Sequence, residues 1–166
     1  MARGYWLVKS EPYKYSWEDL VRDGRTDWDG VRNHEARNNL AAMKRGDLAL
    51  YYHSNEGKEV VGIAEIVGES HPDPTAEDPR WLVVDLAPRT PFAEPVSLAT
   101  IKADPQLEDI ALVRRGRLSV VPISAREFRR IAQLGKTRVP PATATKAPAR
   151  KSRSSGKNAA GKKAAR

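Results

Sequence analysis

"DLALYYHSNEGKEVVGIAEIVGES", residues 47–70, decides the fold. Aromatic and β-branched residues recur through both halves, and such residues favour the pleated backbone. The linker Asn55-Glu56-Gly57-Lys58 between them has turn chemistry. The stretch therefore reads as two antiparallel strands of a hairpin. No regular strand–helix alternation surrounds it, which argues against a parallel doubly wound sheet.

Working outward, "YWLVKSEP" (5–12) is a strand closed by Pro12. "SWEDLVRDG" (16–24) is a short helix with Ser16 and Asp19 in capping spacing and Gly24 as its stop. "NHEARNNLAAMKRG" (33–46) is a second helix, capped by Asn33, with Glu35 near its positive end and Gly46 as its terminator. Ala36, Leu40 and Met43 give it one apolar face. "RWLVVDLAP" (80–88) is a mostly apolar strand, expected to be covered on both faces. "PFAEPVSLATIKADPQL" (91–107) is punctuated by prolines, with Ser97 as cap of a short helix. "RGRLSVVPI" (115–123) is a last strand, and "SAREFRRIAQLG" (124–135) a last helix with Ser124 and Glu127 in capping-box spacing. Strands outnumber helices, so the fold class is α+β, a small curved sheet or barrel decorated by helices.

The charge is divided. Residues 1–135 carry 19 Lys+Arg against 21 Asp+Glu, whereas 136–166 carry 10 Lys+Arg and no acid. The expected organisation is one domain over 1–135 and a disordered Lys/Arg/Ala/Pro-rich tail over 136–166, since such a tail buries too little to offset its ordering entropy. A tail of this charge suits contact with nucleic-acid phosphates, with solubilisation as the plain alternative. The phosphate-binding candidates are Arg114, Arg115 and Arg117 of the "RRGR" cluster and Lys146, Arg150, Lys151 and Arg153 of the tail. For the cluster, a solvated turn is the plain alternative.

Some chemistries are excluded. The chain has no cysteine, hence no disulfide, thiolate nucleophile or Cys-ligated metal. His34, His53 and His71 are far apart and none has metal-ligand spacing. No Gly-rich phosphate loop occurs, so no metal or cofactor is expected. There is no signal-peptide pattern and no apolar run of membrane-spanning length. The expected setting is soluble and intracellular, either cytoplasmic or in the nucleoid or nucleus, with no membrane partner. The sequence carries no signal of oligomeric state.

"GVRNHEARNNL" (30–40) concentrates two arginines and three asparagines. Trp28, Arg32 and Asn33 together offer an aromatic plane, a forked donor and an amide, a set suited to a planar hydrogen-bonding ligand such as a nucleobase. Gly30 permits a backbone turn beside them. Each also has a local reading: Trp28 as a core anchor, Asn33 as a cap, and Arg32 and Arg37 in ion pairs. His53-Ser54 is poorly arranged as a hydrolytic pair, because adjacent strand residues point apart.

In order along the chain, "WLVKSEP", "WDGVRNHEARNNL", "MKRGDLALYYHSN", "GIAEIVGES", "VSLATIKADPQL" and "RRGRLSVVPIS" resemble the EVE domain family, from about Tyr5 to Leu134. The resemblance implies a PUA-like mixed β-barrel surrounded by short helices. It also implies a non-catalytic module that recognises a modified base, modified cytosine in DNA above all. The family's pocket segments fall here on Lys9, Ser10 and Glu11; on Val31, Arg32 and Asn33, with Trp28 in the same region; on Tyr52, His53 and Ser54; and on Leu118, Ser119 and Val120. Trp28 or Tyr52 would stack on the base. The chain departs from the family pattern at His34-Glu35, where Tyr-Gln is common, at Val121, where Gln is usual, and in a short stretch between "HPDP" and "PRW". The alternatives are an RNA-binding PUA-like module, a nucleotide-acting enzyme using Glu11 and His53 (or Lys9), and a small-metabolite binder.

Overall fold

The computed structural model describes residues 4–29 and 31–140. Gly30, read as a turn, and the tail cations Lys146, Arg150, Lys151 and Arg153 lie outside the described residues. The elements are β1 (Tyr5–Ser10), α1 (Trp17–Asp23), β2 (Thr26–Asp27), α2 (His34–Ala42), β3 (Leu48–His53) and β4 (Glu59–Pro72). They continue with β5 (Leu82–Ser97), α3 (Leu98–Ala103), a 3-10 turn (Pro105–Leu107), α4 (Ala111–Arg114), β6 (Val120–Pro122) and α5 (Ala125–Leu134). The class is α+β, as expected: one mixed sheet in the order β2-β5-β4-β3-β1-β6, with short helices around it.

The hairpin of β3 and β4 forms as read, and β1 joins β3 in parallel. Its turn uses left-handed backbone at Asn55, Gly57 and Lys58. The helix starts also form as read. Ser16 and Ser124 make full capping boxes, and Asn33 and Ser97 each cap with a side-chain oxygen. Gly24 closes α1 in the left-handed conformation.

Several boundaries differ from expectation. Helix α2 stops at Ala42, short of Gly46. Beyond it, buried Asp47 takes the N–H of Lys44 at 2.9 Å, the N–H of Gly4 at 2.7 Å and the Trp6 Nε1–H at 3.0 Å. That carboxylate supplies a turn where a fourth helical turn would otherwise run. Strand β5 passes through Pro88, Pro91 and Pro95, whereas the sequence reading takes such prolines as punctuation. Its outer neighbour β2 pairs only with Asp85 and Leu86, and bulges interrupt the β4–β5 register. An edge with bulges is where a strand tolerates proline. Within β5, Val83, Val84 and Leu86 are buried, but Asp85 and Ala87 are only half-buried, so cover on both faces is partial. Strand β6 is three residues long, because the turn at 115–117 that follows α4 occupies the front of the expected "RGRLSVVPI" strand.

Tyr51 anchors the core. It is fully buried, with Trp17 and Trp28 edge-on at 5.6 and 5.5 Å, and its hydroxyl donates to the Tyr15 carbonyl at 2.7 Å. Gly62 is required beside it, since a Cβ there would lie 2.7 Å from the Trp17 ring. Lys136–Pro140, assigned to the tail from sequence, lie against the domain. Thr137 Oγ1 accepts the Ala93 N–H at 2.9 Å, and Val139 packs on the core.

Candidate nucleic-acid interface

The parallel pairing of β1 and β3 makes their C-terminal ends finish side by side, Lys9 opposite Tyr52 and Ser10 opposite His53. The Ser54 N–H donates to the Ser10 carbonyl at 2.9 Å. Strand β6 begins at the same end, where the Lys9 N–H reaches the Ser119 carbonyl at 2.9 Å. Helix α2 is pinned there by Asn39, whose amide donates to the Val120 carbonyl at 2.8 Å. The fold thus brings four distant sequence segments to one end of the sheet.

Two adjoining cavities open at that end. The first, about 250 Å³, is lined by Lys9, Tyr52, Ser54, Asn55 and Lys58, with Leu98, Leu112 and Val113 as apolar wall. The second, about 520 Å³, lies between Asn33 and the Arg114–Leu118 segment. Gly116 borders both, and its carbonyl accepts from Lys9 Nζ at 2.8 Å. Burial lowers the Lys9 pKa and raises that of Tyr52. The Tyr52 hydroxyl sits on a side chain 4% exposed and has no hydrogen-bond partner among the described residues. The Ser54 hydroxyl is also unpartnered among them. Asn33 is divided in its duties: Oδ1 accepts the Ala36 N–H at 2.9 Å as the cap of α2, while the residue lines the second cavity and its Nδ2 has no partner among the described residues.

Other expected site residues are engaged elsewhere. Trp28 and Val31 are buried in the core, 5% and 7% exposed, and Val120 is fully buried. The stacking faces expected of Trp28 and Tyr52 are therefore covered in this conformation. Ser10 Oγ donates to the Tyr15 carbonyl at 2.8 Å. Glu11 accepts from Asn55 at 3.0 Å and pairs with Lys14 at 3.5 Å. His53 Nε2 accepts the Trp17 N–H at 3.1 Å, which fixes the neutral ring with its proton on Nδ1. Burial lowers its pKa, while Glu18 and Glu59 pull the other way. Arg32 is bound to the buried carboxylate of Asp73 at 3.0 Å. Arg115 makes a two-pronged pair with Glu35, and Arg114 pairs with Asp109 at 2.8 Å. The Arg115 hydrogen bonds lower the Glu35 pKa. Of the "RRGR" arginines, Arg117 alone has no side-chain partner among the described residues.

Sequence reasoning noted the short β4–β5 loop between "HPDP" and "PRW" but missed the place of Trp81 in it. Trp81 there is half-buried, with the His34 ring 5.0 Å away and the Arg32 guanidinium 5.8 Å from its centroid. Asp73 holds the loop closed through the Thr75 N–H at 2.7 Å and the Thr75 hydroxyl at 2.6 Å. The "PRW" tripeptide was a visible signal, but nothing local says that Trp81 meets His34. The second miss is the wall of the first cavity, Leu98, Leu112 and Val113, supplied by α3 and α4.

Residues 4–134 match the EVE domain family. The chain belongs to that family. Thymocyte nuclear protein 1 of Mus musculus is 36% identical over 167 residues, covering 80% of this chain and 74% of its own length. An Agrobacterium tumefaciens protein of known crystal structure is 48% identical with a TM-score of 0.81, covering 83% of this chain and 97% of its own. The human THYN1 protein, solved in complex with 5-methylcytosine containing DNA, is 33% identical with a TM-score of 0.75, covering 82% of this chain and 99% of its own. Among the described residues, no helix of this EVE domain is long and apolar enough to cross a membrane. No cluster of three or more metal-ligating side chains occurs among them either.

Proposed function

We propose that this EVE domain is a non-catalytic module that receives one modified base of a nucleic acid, a modified cytosine in DNA, at the shared end of β1, β3 and β6. The observation that carries the reading is the set of unpartnered polar groups converging there, namely Asn33 Nδ2, the Tyr52 hydroxyl and the Ser54 hydroxyl. The DNA complex of the 33%-identical human relative supports the choice of polymer and base. With Oδ1 already serving as a cap, Asn33 offers chiefly its Nδ2 donors, which suit the O2 and N3 acceptors of cytosine. Leu98, Leu112, Val113 and Leu118 offer aliphatic contact to a methyl group. A first cavity of about 250 Å³ is small beside drug-sized sites of roughly 300–1,000 Å³ and suits a single base. Delivering that base costs a few kcal/mol of unstacking, least where the pair is already weakened.

The non-catalytic reading rests on the engaged state of the candidate acid and base. His53 Nε2 holds a helix N–H, and the Glu11 carboxylate holds Asn55 and Lys14. Neither group is left free to move a substrate proton in this geometry. The tail beyond Pro140 adds phosphate contacts without sequence preference.

The test is binding of the full chain to duplexes that differ only at one central base: cytosine, 5-methylcytosine or 5-hydroxymethylcytosine, with RNA of matched length alongside. We expect one modified base to bind at least about tenfold tighter, or about 1.4 kcal/mol. Asn33→Ser should erase that preference while keeping an N-cap hydroxyl. Equal discrimination by parent and variant would remove Asn33 from the site, and a preference for RNA would favour a 2′-OH reader instead.

A further inference from the structure

The opposite end of β1 carries a different surface. Helix α5 packs there through Phe128, whose ring lies 4.8 Å from Tyr5. From Tyr5 to Lys9 the strand rises about 13 Å, so this surface is well separated from the base cavities. Arg126, Arg129, Arg130 and Gln133 recur at i, i+3, i+4 and i+7, which is one face of a helix. A groove of about 640 Å³ runs along that face, and Arg138 and Val139 close its far side.

The charge in this groove is largely uncompensated. Arg130 is engaged by Asp104 at 2.7 Å and by Gln133 at 3.0 Å. Arg126, Arg129 and Arg138 are exposed and have no side-chain partner among the described residues. None of the residues lining the groove is acidic. Glu127 turns back to cap the Ser124 N–H, and with Glu108 and Asp109 it lines a second cavity that Arg126 also borders, without an ion pair to Arg126 among the described residues. Like charges three and four residues apart weaken a helix. A purely solvated face would be better served by glutamates at some of these positions.

The chain's own path adds to this charge. Thr137 and Lys136 tie the segment after α5 to β5, through the Ala93 N–H at 2.9 Å and Glu94 at 3.4 Å. Thr137, Arg138 and Val139 therefore lie along the groove, and Arg138 adds a further cation to it.

We propose that the arginine face of α5, with Arg138 beside it, binds the sugar–phosphate backbone of the nucleic acid whose base is received at the other end of β1. The proposal rests on the nucleic-acid reading above and adds a second contact surface to it. Planar guanidinium groups suit phosphate oxygens, and a row of them along a helix suits a polyanion better than a single small anion.

The test compares the full chain with its Arg126→Gln, Arg129→Gln double variant. Each is titrated with a duplex carrying one central 5-methylcytosine and with its unmodified twin, from 50 to 200 mM salt. Both arginines are exposed, and an unchanged melting temperature verifies the fold. The expected result is weaker binding to both duplexes alike, a log–log salt slope smaller by about 2 units, and an unchanged ratio between the duplexes. An unchanged slope would overturn the proposal. So would an equal loss in Arg22→Gln, Arg25→Gln, which removes the same charge from around α1. Preferential binding of the parent to phosphatidylserine vesicles at matched salt, lost in the Arg126, Arg129 variant, would replace nucleic acid with an anionic membrane as the partner. If the parent fails to tell the two duplexes apart while the slope still falls, the base-reading function fails and the backbone surface stands.

Discussion

The arginines around α2 and those along α5 look alike in the sequence and differ in the fold. Around α2, Arg32 is held by Asp73, Arg115 by Glu35, and Arg114 by Asp109. Along α5, Arg126 and Arg129 have no such acid among the described residues. "RRGR" reads from sequence as a phosphate contact or a solvated turn, whereas "REFRR" reads only as part of a capped helix. In the fold Arg114 and Arg115 are ion-paired while Arg126 and Arg129 are not, because a cation's partners are set by its neighbours in space. A guanidinium already in an ion pair has its charge offset and fewer N–H donors left for a phosphate.

The largest effect that would break this comparison lies at Asp73. Its side chain is fully enclosed and accepts from Arg32, the Thr75 N–H and the Thr75 hydroxyl. Asp73→Ala should destabilise the fold by about 2–3 kcal/mol, since three hydrogen bonds to a charged acceptor are lost at once. Denaturant melts would show the loss. The α5 variant Arg129→Gln, in the same assay, should stay within about 0.5 kcal/mol of the parent, because its side chain is exposed and unpaired. Similar losses in both would mean that the two groups of arginines do not differ as described.

A second, smaller effect concerns His53. Its neutral ring holds the first N–H of α1, and burial keeps its pKa below the ordinary value of 6.5. Between the folded and the ordinary value the unfolded chain binds more protons here, so stability rises with pH. The contribution is fully present above about pH 6.5 and is lost as pH falls toward the folded value. Protonation would turn Nε2 from acceptor to donor and break the bond. Relative to His53→Gln, the parent should lose about 1 kcal/mol between pH 7.5 and pH 5, the worth of one hydrogen bond. Parallel stability–pH curves would show that the Trp17 bond does not depend on the charge of His53.

Much of the fold was legible because its signals are local. The caps at Ser16, Asn33, Ser97 and Ser124 act within three residues of themselves, and all four form. The hairpin at 47–70 is equally local. The meeting of the candidate-site segments was legible in outline, since those of Lys9, Tyr52, Ser54 and Ser119 do come together at one end of the sheet. What could not be read were the partners. Arg32 meets Asp73 across 41 residues, and Arg115 meets Glu35 across 80. Nor does a tryptophan's identity say which way it faces. Trp28, expected at the ligand, packs on Tyr51, while Trp81 stands near His34 and Arg32.

The smallest effect is the sharpest test of the comparison, because it should increase binding. Glu35 holds Arg115 through both carboxylate oxygens, at the rim of the cavity that Asn33 borders. Glu35→Gln removes the charge while leaving an amide of the same shape, so Arg115 should join Arg117 as a cation open to phosphate. Its salt slope on duplex DNA should steepen by about 0.9, the contribution of one released counterion. Affinity at low salt should rise a few-fold for modified and unmodified duplexes alike, since a phosphate contact carries no base information. A steeper slope would show that the acid next to each arginine sets the division between the two surfaces. An unchanged slope would mean that Arg115 lies off the path of the backbone, and α5 would then hold the larger share of the folded domain's phosphate contacts.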